Sequence, residues 1–296
     1  MSRLFDNYVM VDWSAAAKPA TGADSIWVGV HRRDVRLQLR FEAHNPPTRK
    51  AALDLLVSIL AEFDKRGDRT LIGFDFPLGY PRGTAAALKF DGAPWSAMHH
   101  FLAKEIKDKP DNSNNRFQVA AMMNRLISGG PFPFWGCPPR DVLTTLQSKK
   151  GRAHGPEDVP EHRIAELAAK GASPIWKLYT AGSVGSQALM GIPTVKKLRD
   201  MRPDARIWPF ETGYQPLTRD DLDGVKIVMA EIYPSLIKST PVVGEFKDLT
   251  QVRTIGEHYA ALDDAGKLSA AFGPAKGMDE ASVEVVANEE GWILGA

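Results

Sequence analysis

Three short apolar runs, YVMVDW at residues 8–13, TLIGFD at 70–75 and VKIVMAEI at 225–232, each carry one acid within or at the end of a stretch otherwise suited to a buried strand. Burying an unpaired carboxylate is costly, and gathering several is worse. A chain that places Asp12, Asp75 and Glu231 in this way must supply something for them to face. That requirement limits the folds open to it more than any other feature does.

The runs fall into an order. Residues 25–31 (SIWVGVH) and 35–42 (VRLQLRFE) read as two further strands, with Arg32, Arg33 and Asp34 as the turn between them, so the first three strands form an antiparallel meander. From Thr48 to Arg66, Ala51, Leu55, Ile59 and Phe63 recur every four positions behind a Thr48 cap, which predicts an amphipathic helix. The 70–75 strand stops at PLGYPRG. Residues 80–222 have a different texture, with helices predicted near 95–107 and 114–128 between turn-rich segments such as GGPFPFWGCPP, and read as a large, mainly helical insertion. After the 225–232 strand, residues 248–272 read as one long helix weakened at Gly266, and SVEVVANEEGWILG as a small hairpin or a strand with a tail. Hairpins followed by βα crossovers predict a single α/β domain over residues 1–296, with a mixed sheet covered by helices.

With 44% hydrophobic and 25% charged residues the chain has the balance of a folded globule. A net charge of +1 offers no global field for nucleic acid or an anionic membrane, so such a partner needs a local patch. Cys137 is the only cysteine, so an intramolecular disulfide is excluded. The opening MSRLFDNYVMVDWS lacks a basic-then-apolar export pattern, and no later run suits a bilayer span; the expectation is a cytoplasmic protein without a membrane partner.

A divalent cation is the simplest partner for acids recurring across one sheet, and oxygen-only ligands favour magnesium or manganese (Mg2+ or Mn2+). Asp263 and Asp264, on the helix after the last strand, add a further pair; neighbours on a helix diverge by about 100°, and Asp264 is the expected ligand with Asp263 solvated.

The motifs VDWS, FDFPLGYP, EIYPS and DDA resemble those of a bacterial domain family of unknown function, described as predicted nucleases with a ribonuclease H-like fold. The resemblance covers both ends of the chain and matches residues 80–222 more loosely. It implies three antiparallel strands followed by parallel ones, and carboxylates from the first strand, the fourth strand and a later helix. Those roles fall to Asp12, Asp75 and Asp264, with Glu231 as a further ligand. Gly266 and Lys267 depart from the small apolar helix expected after the last acid.

The implied activity is hydrolysis of a nucleic-acid phosphodiester with carboxylate-bound metal, Asp12, Asp75, Glu231 and Asp264 being both catalytic and metal-binding. Lys247, Arg253 and Ser183, the last within the Gly/Ser-rich TAGSVGSQALMG, are candidate substrate contacts. A nucleic-acid partner would use a basic and aromatic patch built from Arg140, Lys149, Lys150, Arg152, Lys196, Lys197, Arg199, Arg202 and Arg206 with Trp135, Trp176 and Trp208. The alternative from another class is a non-catalytic ribonuclease H-like module that binds a nucleotide, nucleic acid or protein. A role in molybdopterin guanine dinucleotide synthesis, suggested by labels on similar proteins, finds no G-x-x-x-x-G-K-[ST] loop here.

Overall fold

The structure is a computed structural model in which residues 3–296 are described. Its centre is a six-stranded sheet built from β1 (Asn7–Asp12), β2 (Trp27–Arg33), β3 (Leu39–His44), β4 (Thr70–Phe74), β5 (Ala205–Ile207) and β6 (Ile227–Glu231), in the order β3-β2-β1-β4-β6-β5. The first three strands pair antiparallel, and β4, β6 and β5 run parallel to β1. The expected mixed α/β sheet is present. Strands β4 and β6 are buried along their whole length and β1 nearly so, which is why they read as continuous apolar runs rather than alternating ones.

Between β3 and β4 lies α1 (Arg49–Asp64), and the Thr48 hydroxyl accepts the Ala51 N–H as its cap. Its buried stripe is Ala52, Leu56, Leu60 and Phe63, one position on from the expected 51-55-59 series, whose members are only partly covered. Residues 80–222 hold α2 (Thr84–Ala87), α3 (Pro94–Glu105), α4 (Arg116–Ser128), α5 (Ile164–Ala168) and α6 (Gly185–Met201), and also β5. The last is a sheet strand within the range expected to be an insertion, too short to announce itself as three residues.

After β6 come α7 (Lys247–Asp264), α8 (Leu268–Ala271) and α9 (Glu280–Val285). The single helix expected over 248–272 is broken because Gly266 takes a left-handed φ of 68°. The C-terminal segment is helical through Glu290, not a hairpin, and only Ile293 makes a bridge to Glu231. Strand β3 also starts later than expected. The Asp34 carboxylate accepts the N–H groups of Arg36 and Gln38, and this turn occupies residues that alternation alone assigned to the strand.

Two cores flank the sheet. Val9, Val11, Val28, Val30, Ile72 and Phe74 face one way, under α1, α3, α4 and α6. Tyr8, Met10, Leu71, Val228 and Ala230 face the other, under α7 and the C-terminal segment. Helix α7 lies close on β2 because Gly256 has no side chain: a Cβ there would stand 2.2 Å from the His31 ring. Asp248 in its first turn lies in one cleft with Asp12 and Asp75, where β1 and β4 end.

Candidate active site

Parallel pairing places Val11 opposite Phe74, so the next residues, Asp12 and Asp75, stand side by side where β1 and β4 end, strands about 4.8 Å apart. Each acid is followed by a buried aromatic, Trp13 and Phe76, whose rings pack 6.1 Å apart and anchor both strand ends. The Trp13 N–H donates to Asp75 Oδ1 at 2.7 Å, and Gln187 from α6 reaches Oδ2 at 3.4 Å while also donating to the Trp13 carbonyl. No donor among the described residues reaches the Asp12 carboxylate within hydrogen-bond distance.

Both acids line a cleft of about 630 Å³, together with Ser14, Asp24, Arg116, Tyr179, Ser183, Gln187 and Asp248. Asp248 lies in the first turn of α7, where the helix dipole favours an acid, and accepts the Asp24 N–H at 2.9 Å. Among the described residues, none of Asp12, Asp24, Asp75 and Asp248 has an ion-pair partner. Burial, then Asp75, Asp248 and Asp24, push the Asp12 carboxyl well above its usual range, against a smaller pull from Lys247. Burial likewise raises Asp75, with the Trp13 N–H opposing and Asp248 adding to the rise.

Glu231 lines a second, small pocket with Asp75 but lies outside the larger cleft, and Asp264 lines neither. Glu231 pairs in register with Phe74, not Asp75, so its side chain leaves the opposite face of the sheet, and the residue in line with the two aspartates is the apolar Ile232. Its carboxylate accepts both terminal nitrogens of Arg163, at 2.6 and 2.7 Å, and the Leu78 N–H at 3.2 Å. Arg163 also binds Glu166, and all three side chains are buried. Burial opposes the charge on Arg163, but Glu231 and Glu166 more than offset it and hold the guanidinium protonated.

Asp264 ends α7. At 1.5 Å per residue it lies about 24 Å along the helix from Asp248, where it pairs with Arg33 and Arg3 at the amino edge of the sheet. Asp263, expected to be solvated, is instead the buried neighbour, accepting the N–H groups of Leu4 and Phe5 and the Tyr8 hydroxyl. It shares the inward stripe of α7 with Tyr259 and Ala260.

Of the expected substrate contacts, Ser183 lines the cleft and Lys247 lies close enough to act on the charge of Asp12. Arg253 is turned to Glu245 and over the Phe41 ring. In the proposed basic and aromatic patch, Trp176 and Trp208 are fully buried, while Lys150, Arg152, Lys196, Arg199 and Arg202 hold acids at 2.9 Å or less. None of these residues lines the cleft.

Sequence reasoning missed Asp24 and Arg116 as site residues. Gln187 lies within the Gly/Ser-rich TAGSVGSQALMG segment that supplied Ser183, and Asp248 opens the helix that carries Lys247 and Arg253, though neither was read as part of the acidic group. For Asp248 the signal is that a helix following a parallel strand brings its first turn, not its last, near the strand's carboxyl end. No family model matches the chain, and no curated protein or solved structure matches it either.

Proposed function

We propose that this is a metal-dependent phosphodiester hydrolase on a ribonuclease H-like scaffold, with Asp12 and Asp75 as the metal-binding pair and Asp248 as the helical acid beside them. The observation that carries this reading is the gathering of largely buried carboxylates at the ends of two adjacent parallel strands with no lysine or arginine among the described residues paired to any of them. The strand order β3-β2-β1-β4-β6-β5, with three antiparallel strands followed by parallel ones, supports the scaffold.

The residues fit a hard divalent cation. Their donors are all oxygen, the Asp12 carboxylate is unpartnered, and both buried carboxyls resist ionisation until a positive charge arrives. Among the described residues no three His, Cys, Asp or Glu side chains form a ready metal cage. Two carboxylates suffice for magnesium, which keeps several waters and takes substrate phosphate as a further ligand. Such an ion, when bound, lowers the pKa of water and neutralises phosphate charge.

The chain's own groups do the rest. Trp13 N–H and Gln187 fix the orientation of Asp75. Asp12, Asp248, Ser183 and Arg116 line the cleft together. In the reaction a water oxygen bonds to phosphorus, the ester P–O bond breaks, and the departing oxygen leaves as an alcohol carrying a proton from that water. Asp248, in the same cleft but outside the metal-binding pair and with its carboxyl raised by burial, is the carboxylate suited to receive and pass on that proton.

The test is thermal unfolding with and without manganese. The wild-type midpoint should rise by several degrees and that of Asp12→Asn should not move. A wild-type curve indifferent to magnesium and manganese overturns this reading and favours a non-catalytic binding module.

A further inference from the structure

The charges that line the cleft bear on the size of the substrate, and the inference rests on the hydrolase reading above. Among the described residues, four aspartates and one arginine line it, with no lysine. One or two divalent ions would bring that lining near neutrality, which suits one phosphate group and leaves no positive track for a chain of them. Of the basic residues that might have extended such a track, Lys150, Arg152, Lys196, Arg199 and Arg202 hold neighbouring acids, and none of the nine lines the cleft; of the tryptophans that might have stacked bases, Trp176 and Trp208 are in the core and Trp135 does not line the cleft.

Arg116 is the one cation in the lining among the described residues. Its Nε donates to the Ser186 hydroxyl at 3.0 Å and its Nη1 to Asn114 Oδ1 at 2.9 Å, while its ring-facing side rests on Phe117 with 4.3 Å from guanidinium carbon to ring centre. Two neutral partners hold the guanidinium in place without neutralising it, and Nη2 has no acceptor among the described residues. Burial, with Arg49 nearby, pushes Arg116 down to about 10, so it remains charged at neutral pH. Ser186 and Gln187 open α6, and as first-turn residues their backbone N–H groups have no acceptor within the helix. The unpartnered Asp12 carboxylate opens into the same cleft. A cation, free amides and an unpartnered carboxylate thus converge on a single space.

We infer that the substrate is a small phosphodiester with one or few phosphates, held by the Arg116 guanidinium and the first-turn amides of α6, and that a long polynucleotide is not the preferred substrate. An anion seated there receives a fixed, charge-assisted fork of donors, a geometry that a lysine cannot reproduce.

The experiment compares dithymidine monophosphate with a long oligothymidylate as substrates of the manganese-loaded protein, for wild type, Arg116→Gln, Arg116→Lys and Asp12→Asn. It is paired with equilibrium titration of dithymidine monophosphate into each protein in magnesium. The expected result is a higher kcat/KM on the dinucleotide and a weak salt dependence, since few counterions are released. Arg116→Gln should raise KM and weaken binding by about tenfold or more, Arg116→Lys should recover only part of this, and both should keep the manganese-induced rise in melting temperature. Preference for the oligothymidylate with a steep salt dependence overturns the inference while leaving the hydrolase reading intact, as does an Arg116→Gln protein with unchanged KM and affinity. Hydrolysis that survives in Asp12→Asn, or no hydrolysis of either substrate together with no manganese shift, overturns the hydrolase reading and this inference with it.

Discussion

Two groups of buried acids lie at neighbouring strand ends and are treated in opposite ways. Glu231 and Glu166 share Arg163 through short, direct contacts, and the guanidinium also donates to the Glu290 carbonyl. Among the described residues, Asp12 and Asp75 have two backbone or amide donors between them and no lysine or arginine partner. The first arrangement ties α5 to β6 and is closed. The second leaves buried carboxyls without a cationic partner in a cleft, which a protein built only for stability has no reason to keep. An acid at a strand end is therefore a poor guide to function until its partners are known.

The comparison breaks most visibly at Arg163. Removing it as Arg163→Met strands two buried carboxylates, and the expected loss is about 3–5 kcal/mol, measured as a lower denaturant midpoint or as failure to fold. A variant as stable as wild type would mean that the triad does not hold α5 to the sheet.

Neutralising the other group should act in the reverse direction. Asp12→Asn relieves repulsion from Asp75 and Asp248, and the metal-free protein should gain about 1–2 kcal/mol in chemical denaturation at neutral pH. The same variant should lose its response to manganese. A destabilised Asp12→Asn would show that the carboxylate is satisfied by something other than a cation.

Acid should erase that gain. The folded-state pKa of Asp12 is raised, so in the window between its usual 3.8 and that raised value the folded protein binds a proton the unfolded chain does not. Wild-type stability from this group therefore rises as pH falls through the window, and the difference between wild type and Asp12→Asn should shrink toward zero below about pH 4. Comparing the two proteins cancels the opposite trend from buried His31 and His99. Burial pushes each of these down to about 4, so both lower the stability as pH falls from 6.5. A difference that stays constant from neutral pH to pH 4 would contradict the raised Asp12 pKa.

The smallest effect belongs to Asp264. Its ion pairs with Arg3 and Arg33 are partly exposed, so Asp264→Asn should cost about 0–1 kcal/mol and leave the manganese response untouched. Loss of that response would return Asp264 to the site.

The sequence alone determined the strands that carry Asp12, Asp75 and Glu231, the antiparallel meander, the Thr48-capped helix and α3 and α4, because apolar runs and caps act over a few residues. It also showed that the acids demanded an explanation. Register decided which of them meet: one residue separates the Asp12–Asp75 row from Glu231, and no periodicity within a strand records its offset from a neighbour. The direction of α7 across the sheet decided that Asp248 and not Asp264 faces the cleft, and the approach of α4 and α6 brought in Arg116 and Gln187. Those are contacts between residues as much as 236 positions apart, Asp12 and Asp248, and only the packed chain brings them together.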